Sequence, residues 1–494
     1  VGNFLSVEQD FRRRAGVIPG VGLGLSVDVY SPDLFELMRQ FNGNEPQPGY
    51  LEIFRATVTA LQVVRKHLPT IPLAYHGEGL WVTQPDFSDA SFFDEEIDEV
   101  ARHLETLQSP WLNHECATKQ MAGYSFGTYL PPLYTVESAR VVADNIALVQ
   151  EKMDRPIRQG QFFGPLFLLE MPPLTYFMAG TISIPRFFQL VTAQVSCGLV
   201  LDIGHLWTVY RHTAVRRQLS VEQFVERFLD EFPMERVIEI HVAGLDHHES
   251  NPRHRSKESW PDWVDAHAAP IQGVSWAMLE QVLAHPRLTN LRAVALEVDT
   301  KPIETILNEF RIASERCGPM IYRTIAGSAH TTSSTSQRTE PFLEQGSISS
   351  RDKQQLQESY LRYARIASGQ KLPTGLEWQG VVKDPDGLDR YVHDYLPHEI
   401  LHWGGELAEM FPETCRALAE AGVALDEFVT WWFQTARPVD RPYDFFLLKI
   451  ERMLAFVAER VPVAVALAKR EAEALRQAYA EANNPVARVM EPAR

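Results

Sequence analysis

The sequence predicts an α/β fold, a TIM (β/α)8 barrel, followed by an all-α C-terminal domain. Short apolar, β-branched runs alternate with amphipathic helical patterns between residues 21 and 316. Several of these runs finish in His, Asp or Glu, the residue types that line the carboxyl-terminal mouth of a barrel. Past a Ser/Thr-rich stretch, Gly327 to Pro341, strand signals stop and only 3.6-residue periodicity continues.

The elements follow in order. Val21 to Val27 is a strand closed by Asp28, and Pro32 to Phe41 a helix. Tyr50 to Phe54 is a weaker strand before the helix Val58 to His67. Ile71 to His76 ends in a Gly-rich corner carrying His76 and Glu78. Asp94 to Leu107 is an acidic amphipathic helix, and Trp111 to Glu115 ends in His114-Glu115. Gly123 to Tyr134 reads as a long Gly-, Tyr- and Pro-rich loop before the helix Val136 to Met153. Leu166 to Glu170 is a strand halted by Met-Pro-Pro, followed by the helix Ile184 to Ser196. Leu199 to Ile203 is a strand, and Ser220 caps a helix reaching Phe232. Val237 to Val242 is the strand most clearly buried on both faces. The helix Val274 to His285, the strand Ala293 to Glu297 and the helix Pro302 to Arg316 complete the barrel. The expected organisation is a barrel over 1–318, a linker over 319–346 and a helical accessory domain over 347–494, with helices at 348–368, 394–410, 412–421, 424–436 and 441–482.

The formal net charge of −17 argues against a general nucleic-acid or anionic-membrane surface. No apolar run is long enough for a bilayer, no signal-peptide pattern opens the chain, and the four cysteines are scattered without a CxxC pair. The expectation is a cytoplasmic protein with reduced thiols. Arg12-Arg13-Arg14 and Arg216-Arg217 read as solvated faces.

Strand ends rich in imidazole and carboxylate need a common partner, because buried polar groups without one are costly. A bound metal is the simplest. The candidates are His76, Glu115, Glu170, Asp202, His205, His241, Asp265, His267 and Glu297. One ion takes roughly four to six donors, so the set has room for two or three. Oxygen and nitrogen donors without thiolate suit Fe, Mn, Co or Zn. Asp202 and His205 are also the candidates for acid–base work.

Ile240-His241-Val-Ala-Gly244, Asp265-Ala-His267 with Val274-Ser-Trp276, Leu201-Asp202-Ile203, Leu169-Glu170-Met-Pro172, His76-Gly-Glu-Gly-Leu80 and Leu296-Glu297-Val-Asp299 carry a resemblance. Over about residues 15–316 the chain resembles the multinuclear non-haem iron-dependent oxidative enzymes (DUF692), which include the iron subunit of methanobactin biosynthesis. The resemblance implies a xylose-isomerase-like barrel holding two or three irons of mixed Fe(II)/Fe(III) state. It implies oxidation by O2 of a ribosomally synthesised precursor peptide, at a cysteine or a C-terminal residue. It also implies His76, Glu170, Asp202, His241, Asp265, His267 and Glu297 as ligands. Three positions depart from the family pattern: His114-Glu115 reverses the usual order, Gly204-His205 stands where two asparagines are common, and Leu245 replaces a frequent His. Leu401 to Phe456 faintly resembles the helical partners that recruit the peptide to such enzymes. The expectation is a fused partner, or a separate partner protein if this region is something else. The rivals are a divalent-metal sugar isomerase or phosphodiesterase on the same barrel, and a non-catalytic metal-binding scaffold.

His398-Glu399-Ile-Leu-His402 matches the H-E-x-x-H zinc motif. No third ligand with the usual downstream signature follows, so a helix surface with partly buried histidines is the preferred reading. His247, His248 and His254 are assigned to a flexible loop.

Overall fold

Eight parallel strands close on themselves in the computed structural model, which describes residues 5–43, 46–89, 93–154, 164–173, 176–245, 266–328, 348–371, 382, 384–439 and 442–482. In chain order the strands are β1 (Gly22–Val27), β2 (Leu51–Phe54), β3 (Leu73–His76), β4 (Trp111–Glu115), β5 (Thr118–Met121), β6 (Tyr124–Leu130), β7 (Leu166–Glu170), β8 (Gly198–Asp202), β9 (Val237–Val242) and β10 (Ala293–Glu297). The barrel runs β1-β2-β3-β4-β7-β8-β9-β10 and back to β1, and β5 and β6 form a separate antiparallel hairpin. Each barrel strand pairs in parallel with its neighbours, joined by helices on the outside, which is the expected TIM architecture.

Period-two alternation decides which side chains enter the barrel. In β10, Val294 and Leu296 face the outer helices, whereas Ala293 and Ala295 belong to the interior cluster. Glu297, two residues on, therefore lies on the inner face. The same count puts Glu170 inside after Leu166 and Leu168, and Asp202 inside after Val200. Apolar residues fill the bottom of the interior, and ionisable residues occupy the layers above them up to the carboxyl ends.

A helix at Val7–Val17, absent from the sequence reading, closes the bottom. Ser6 and Gln9 form a capping box at its start, and Phe11 and Ala15, with Ile18 just beyond, pack beneath Ala74, Trp111 and Val200. Arg14 on this helix is no solvated surface residue. It is buried and bonds Asp154 at 2.7 Å and Asp10 at 2.9 Å. Two more helices were not anticipated. Ile203–His212 follows β8 directly, capped by Asp202. Gly318–Ser328 packs against β1, so the expected linker begins inside a helix of the barrel unit; 329–347 lie outside the described residues.

Beyond residue 347 every described element except an isolated bridge at Val382 is helical. The expected helix at 394–410 is interrupted: a π-helix at Tyr391–Tyr395 runs into Leu396–His402, which stops before Gly404 and Gly405, both at positive φ. The expected helix at 441–482 breaks at Pro462 into Phe445–Arg460 and Val465–Ala482.

The expected loop at 123–134 is mostly strand: β6, with β5, makes a hairpin that departs from the carboxyl end of β4. Its backbone is gripped by the helical region. Trp432 Nε1 donates to Ser125 O at 2.8 Å, Tyr443 OH to Phe126 O at 2.7 Å, and Tyr395 OH to Thr128 Oγ1 at 3.0 Å. Met121, Phe126 and Leu130 share one apolar core with Phe433, Tyr443 and Phe445. The helical region is thereby fixed to the face of the barrel that carries the strand ends. No described helix is long and apolar enough to cross a membrane.

Candidate metal centre

Four strand ends bring the central group together. Glu170, Asp202, His241 and Glu297, all buried, each offer one ligating atom within 4.8 Å of the others. His241 Nδ1 stands 3.3 Å from Glu170 Oε1 and 3.3 Å from Glu297 Oε1. Asp202 lies directly across the β8–β9 pairing from His241. A second group, His76, Glu115 and Glu170, shares Glu170 with the first, and His76 Nε2 is 3.2 Å from Glu170 Oε2. Six of the nine residues expected from sequence thus form one continuous set of donors.

Two others flank it. His205 is in the first turn of its helix, where its backbone N–H is capped by Asp202 at 2.6 Å. Its Nδ1 meets Met171 O, and its ring nitrogens are 3.9 Å from Glu170 and from Asp202, outside the tight groups. His267 directs Nε2 to Glu297 Oε2 at 3.4 Å and Nδ1 to Asp299 Oδ2 at 3.0 Å. Its loop is held closely against the end of β9: a Cβ on Gly244 would fall 1.9 Å from Ala269 O, so only glycine fits after Ala243. Asp265, His247, His248 and His254 lie outside the described residues.

The order His114-Glu115 is explained by the pleat. Trp111 and Glu115 share the inner face of β4, so His114 points outward, where its Nε2 accepts the Leu80 N–H at 3.0 Å. Burial, helped by the neighbouring His76, lowers the His114 pKa to about 4, keeping it a neutral acceptor.

Sequence reasoning passed over several groups. Asn113 donates to Glu170 Oε2 at 2.8 Å. Asp299 binds both His267 and the Asp28 N–H. Below the central group, Glu52 and Glu239 form a third buried cluster with His241. The signal was there: Glu239 and Asn113 each stand two residues before an inward-facing candidate, so alternation assigns them to the same face.

The electrostatics describe a site with more carboxylates than cations to match them. Burial, reinforced by Glu297 and Glu170 against the opposing imidazoles, raises the Asp202 pKa to about 8. Burial and the neighbouring Glu52 raise Glu239 likewise to about 8. Burial disfavours a charged His76, but Glu170 more than offsets this and holds it up to about 9. His241 is also raised, by Glu170, Glu52 and Glu297 acting against burial. Asp202 Oδ2 is buried and accepts no hydrogen bond. A carboxylate oxygen left so inside a ring of acids is what a cation would satisfy. The donors are oxygen and imidazole nitrogen. Cys116, next to Glu115, is fully buried, and desolvation pushes its thiol pKa up. The set fits a hard or borderline divalent ion.

Residues 20–317 match the family of RiPP precursor modification enzymes described as MbnB/TglH/ChrH, RiPP denoting a ribosomally made, post-translationally modified peptide. The chain belongs to this family. A UPF0276 protein of Paraburkholderia phytofirmans is 28% identical over 227 residues, 46% of this chain and 64% of that protein. A UPF0276 protein of Caulobacter vibrioides is 23% identical over 304 residues, 60% of this chain and 94% of that one. Among solved structures, endonuclease IV from Thermus thermophilus aligns at 17% identity and a TM-score of 0.35, covering 60% of this chain and 99% of that one. A D-psicose 3-epimerase from Clostridium cellulolyticum aligns at 10% identity and a TM-score of 0.35, covering 70% and 98%. The matched family segment ends before the helical region. The family is one of RiPP precursor modification enzymes, which implies a precursor peptide as substrate, and the buried donor groups suggest metal binding.

The zinc-type motif stays apart from this centre. His398 and His402 sit 38% and 43% exposed on a short helix, with Glu399 buried beneath. Among the described residues neither joins a three-donor group.

Proposed function

We propose that the chain is a multinuclear non-haem iron enzyme that uses O2 to oxidise a ribosomally synthesised precursor peptide, at a cysteine or a C-terminal residue. The observation that carries this reading is the shared Glu170, which belongs to two donor groups and joins them into one buried set. Glu170, Asp202, His241 and Glu297 would hold one ion, and His76, Glu115 and Glu170 a second. Asp265, His267 and His205 are the candidates to complete the shells. Bound iron supplies Lewis acidity and one-electron redox chemistry with dioxygen.

The chain's own residues prepare the site. Asn113 fixes the Glu170 carboxylate from behind, and Asp299 holds the His267 ring with Nε2 toward Glu297. Asp202 caps the following helix through Oδ1 and keeps Oδ2 for the centre. His205, with Nδ1 at the Met171 carbonyl, is the side chain best positioned to move a proton at the edge of the donor set. The helical region, fastened to the hairpin beside β4, would present the peptide at the rim. It would serve as a fused recruiting partner.

Incubating anaerobically reconstituted protein with candidate precursor peptides, Fe(II) and O2, and reading the peptide's mass, tests the proposal. An O2-dependent mass change is expected with iron. The same change with Mg, Mn or Zn and no O2 would mean isomerase- or hydrolase-type chemistry. His241→Ala should abolish the change and at least one equivalent of bound iron by elemental analysis.

A further inference from the structure

Beneath the candidate centre lies a second layer of buried carboxylates. Glu52 and Glu239 are both fully buried there, and His241 bridges upward from them. Its Nε2 is 3.0 Å from Glu52 Oε1 and 3.7 Å from Glu239 Oε1, while its Nδ1 faces Glu170 and Glu297. The two ring nitrogens therefore serve different layers.

We propose that Glu52 is a positioning residue for this centre: its Oε1, 3.0 Å from His241 Nε2, takes the Nε2–H when an ion is bound and so leaves Nδ1 unprotonated and aimed at the ion. The inference rests on the metal reading of the preceding subsection. An imidazole that binds a cation through one nitrogen commonly gives the other N–H to a carboxylate, which fixes its tautomer and its orientation.

Glu52 is itself immobilised. Trp111 Nε1 donates to its Oε2 at 3.2 Å, and Ser26 Oγ approaches Oε1 at 3.4 Å. Tyr50 OH donates to Glu239 Oε1 at 2.5 Å, and its ring packs edge-on against Trp111 at 6.0 Å between centroids. Glu52, Glu239 and His241 have metal-ligand spacing of their own, and Glu239 Oε2 accepts no hydrogen bond, but indole and hydroxyl hydrogens already occupy both oxygens of Glu52 and the Tyr50 phenol occupies one of Glu239. This favours a hydrogen-bonded support over a further ion site.

Titrating Co(II) into the metal-free protein, with visible absorption as the readout, separates the possibilities. Glu52→Gln should weaken Co(II) binding roughly 10- to 100-fold. It should also shift the ligand-field bands, with the number of ions bound and the metal-free melting temperature close to wild type. Trp111→Phe frees one Glu52 oxygen without touching His241 and should shift the bands the same way with a smaller loss. It carries the test if Glu52→Gln fails to fold. Wild-type affinity and bands in these variants overturn the inference. So does loss of one whole equivalent of Co(II) in Glu52→Gln, which would make Glu52 a ligand. His241→Ala is the control: if it binds Co(II) as the wild type does, the metal reading itself falls. If it loses Co(II) while Glu52→Gln does not, only the role of Glu52 falls.

Discussion

Glu78, two residues past His76, shows how single charges set the rim. Its carboxylate pairs with Lys119 at 2.5 Å and accepts from Tyr129 OH at 3.2 Å. Burial opposes the charge, but Lys119 and Arg55 overcome it and lower the pKa from 4.5 to about 2. A depressed carboxylate contributes stability above its unfolded pKa, and that contribution is lost as pH falls from about 4.5 toward 2. Glu78→Gln should therefore cost at most roughly 3 kcal/mol at neutral pH, in urea unfolding of the metal-free protein. The gap to wild type should narrow as the pH drops through that window. A gap unchanged at pH 3 would remove the assignment. At this scale the sequence was informative about residue types and silent about direction. His114 and Glu115 are adjacent candidates, and only the pleat of β4 decided that Glu115 enters the site and His114 supports the Leu80 backbone.

The hairpin is the element that joins the two halves of the molecule. Its turn uses Ala122 and Gly123, both at positive φ, a geometry usually announced by Asn-Gly or Asp-Gly. Ala in the first turn position hid it, although Tyr124, Phe126 and Leu130 already alternate. Trp432 covers this hairpin with its ring and its N–H, both buried. Trp432→Ala should cost about 3–5 kcal/mol of local stability, because a large cavity opens and the Ser125 carbonyl loses its donor. Hydrogen exchange should quicken in the hairpin and in helices 426–434 and 445–460, with the barrel strands protected as before. Uniform loosening of the barrel would contradict the division of cores. The Val7–Val17 helix was missed although Ser6 and Gln9 carry its start signal, because one short apolar stripe leaves open what it packs against.

Across the whole molecule, the ring of acids creates a stability deficit that a cation should relieve. A ligand that binds only the folded state stabilises it by about 2.7 kcal/mol at a hundredfold excess over Kd. Fe(II) or Mn(II) should therefore raise the melting temperature of metal-free protein by several degrees, reversibly with chelator. His241→Ala should melt at a temperature far less sensitive to either. An equal metal response in that variant would move the ion elsewhere.

The alternation of apolar runs with amphipathic helices determined the barrel, because strands buried on both faces and helices buried on one leave different periodicities in the chain. The same pattern put His76, Glu170, Asp202, His241 and Glu297 at strand ends, where the fold gathers them. The tertiary structure alone decided which of them bring their donor atoms together, that Glu52 and Glu239 stand beneath His241, and that the helical region is fastened through β5 and β6 to the face that carries the strand ends. Those facts depend on barrel closure and on contacts between residues hundreds of positions apart, and local sequence holds no record of either.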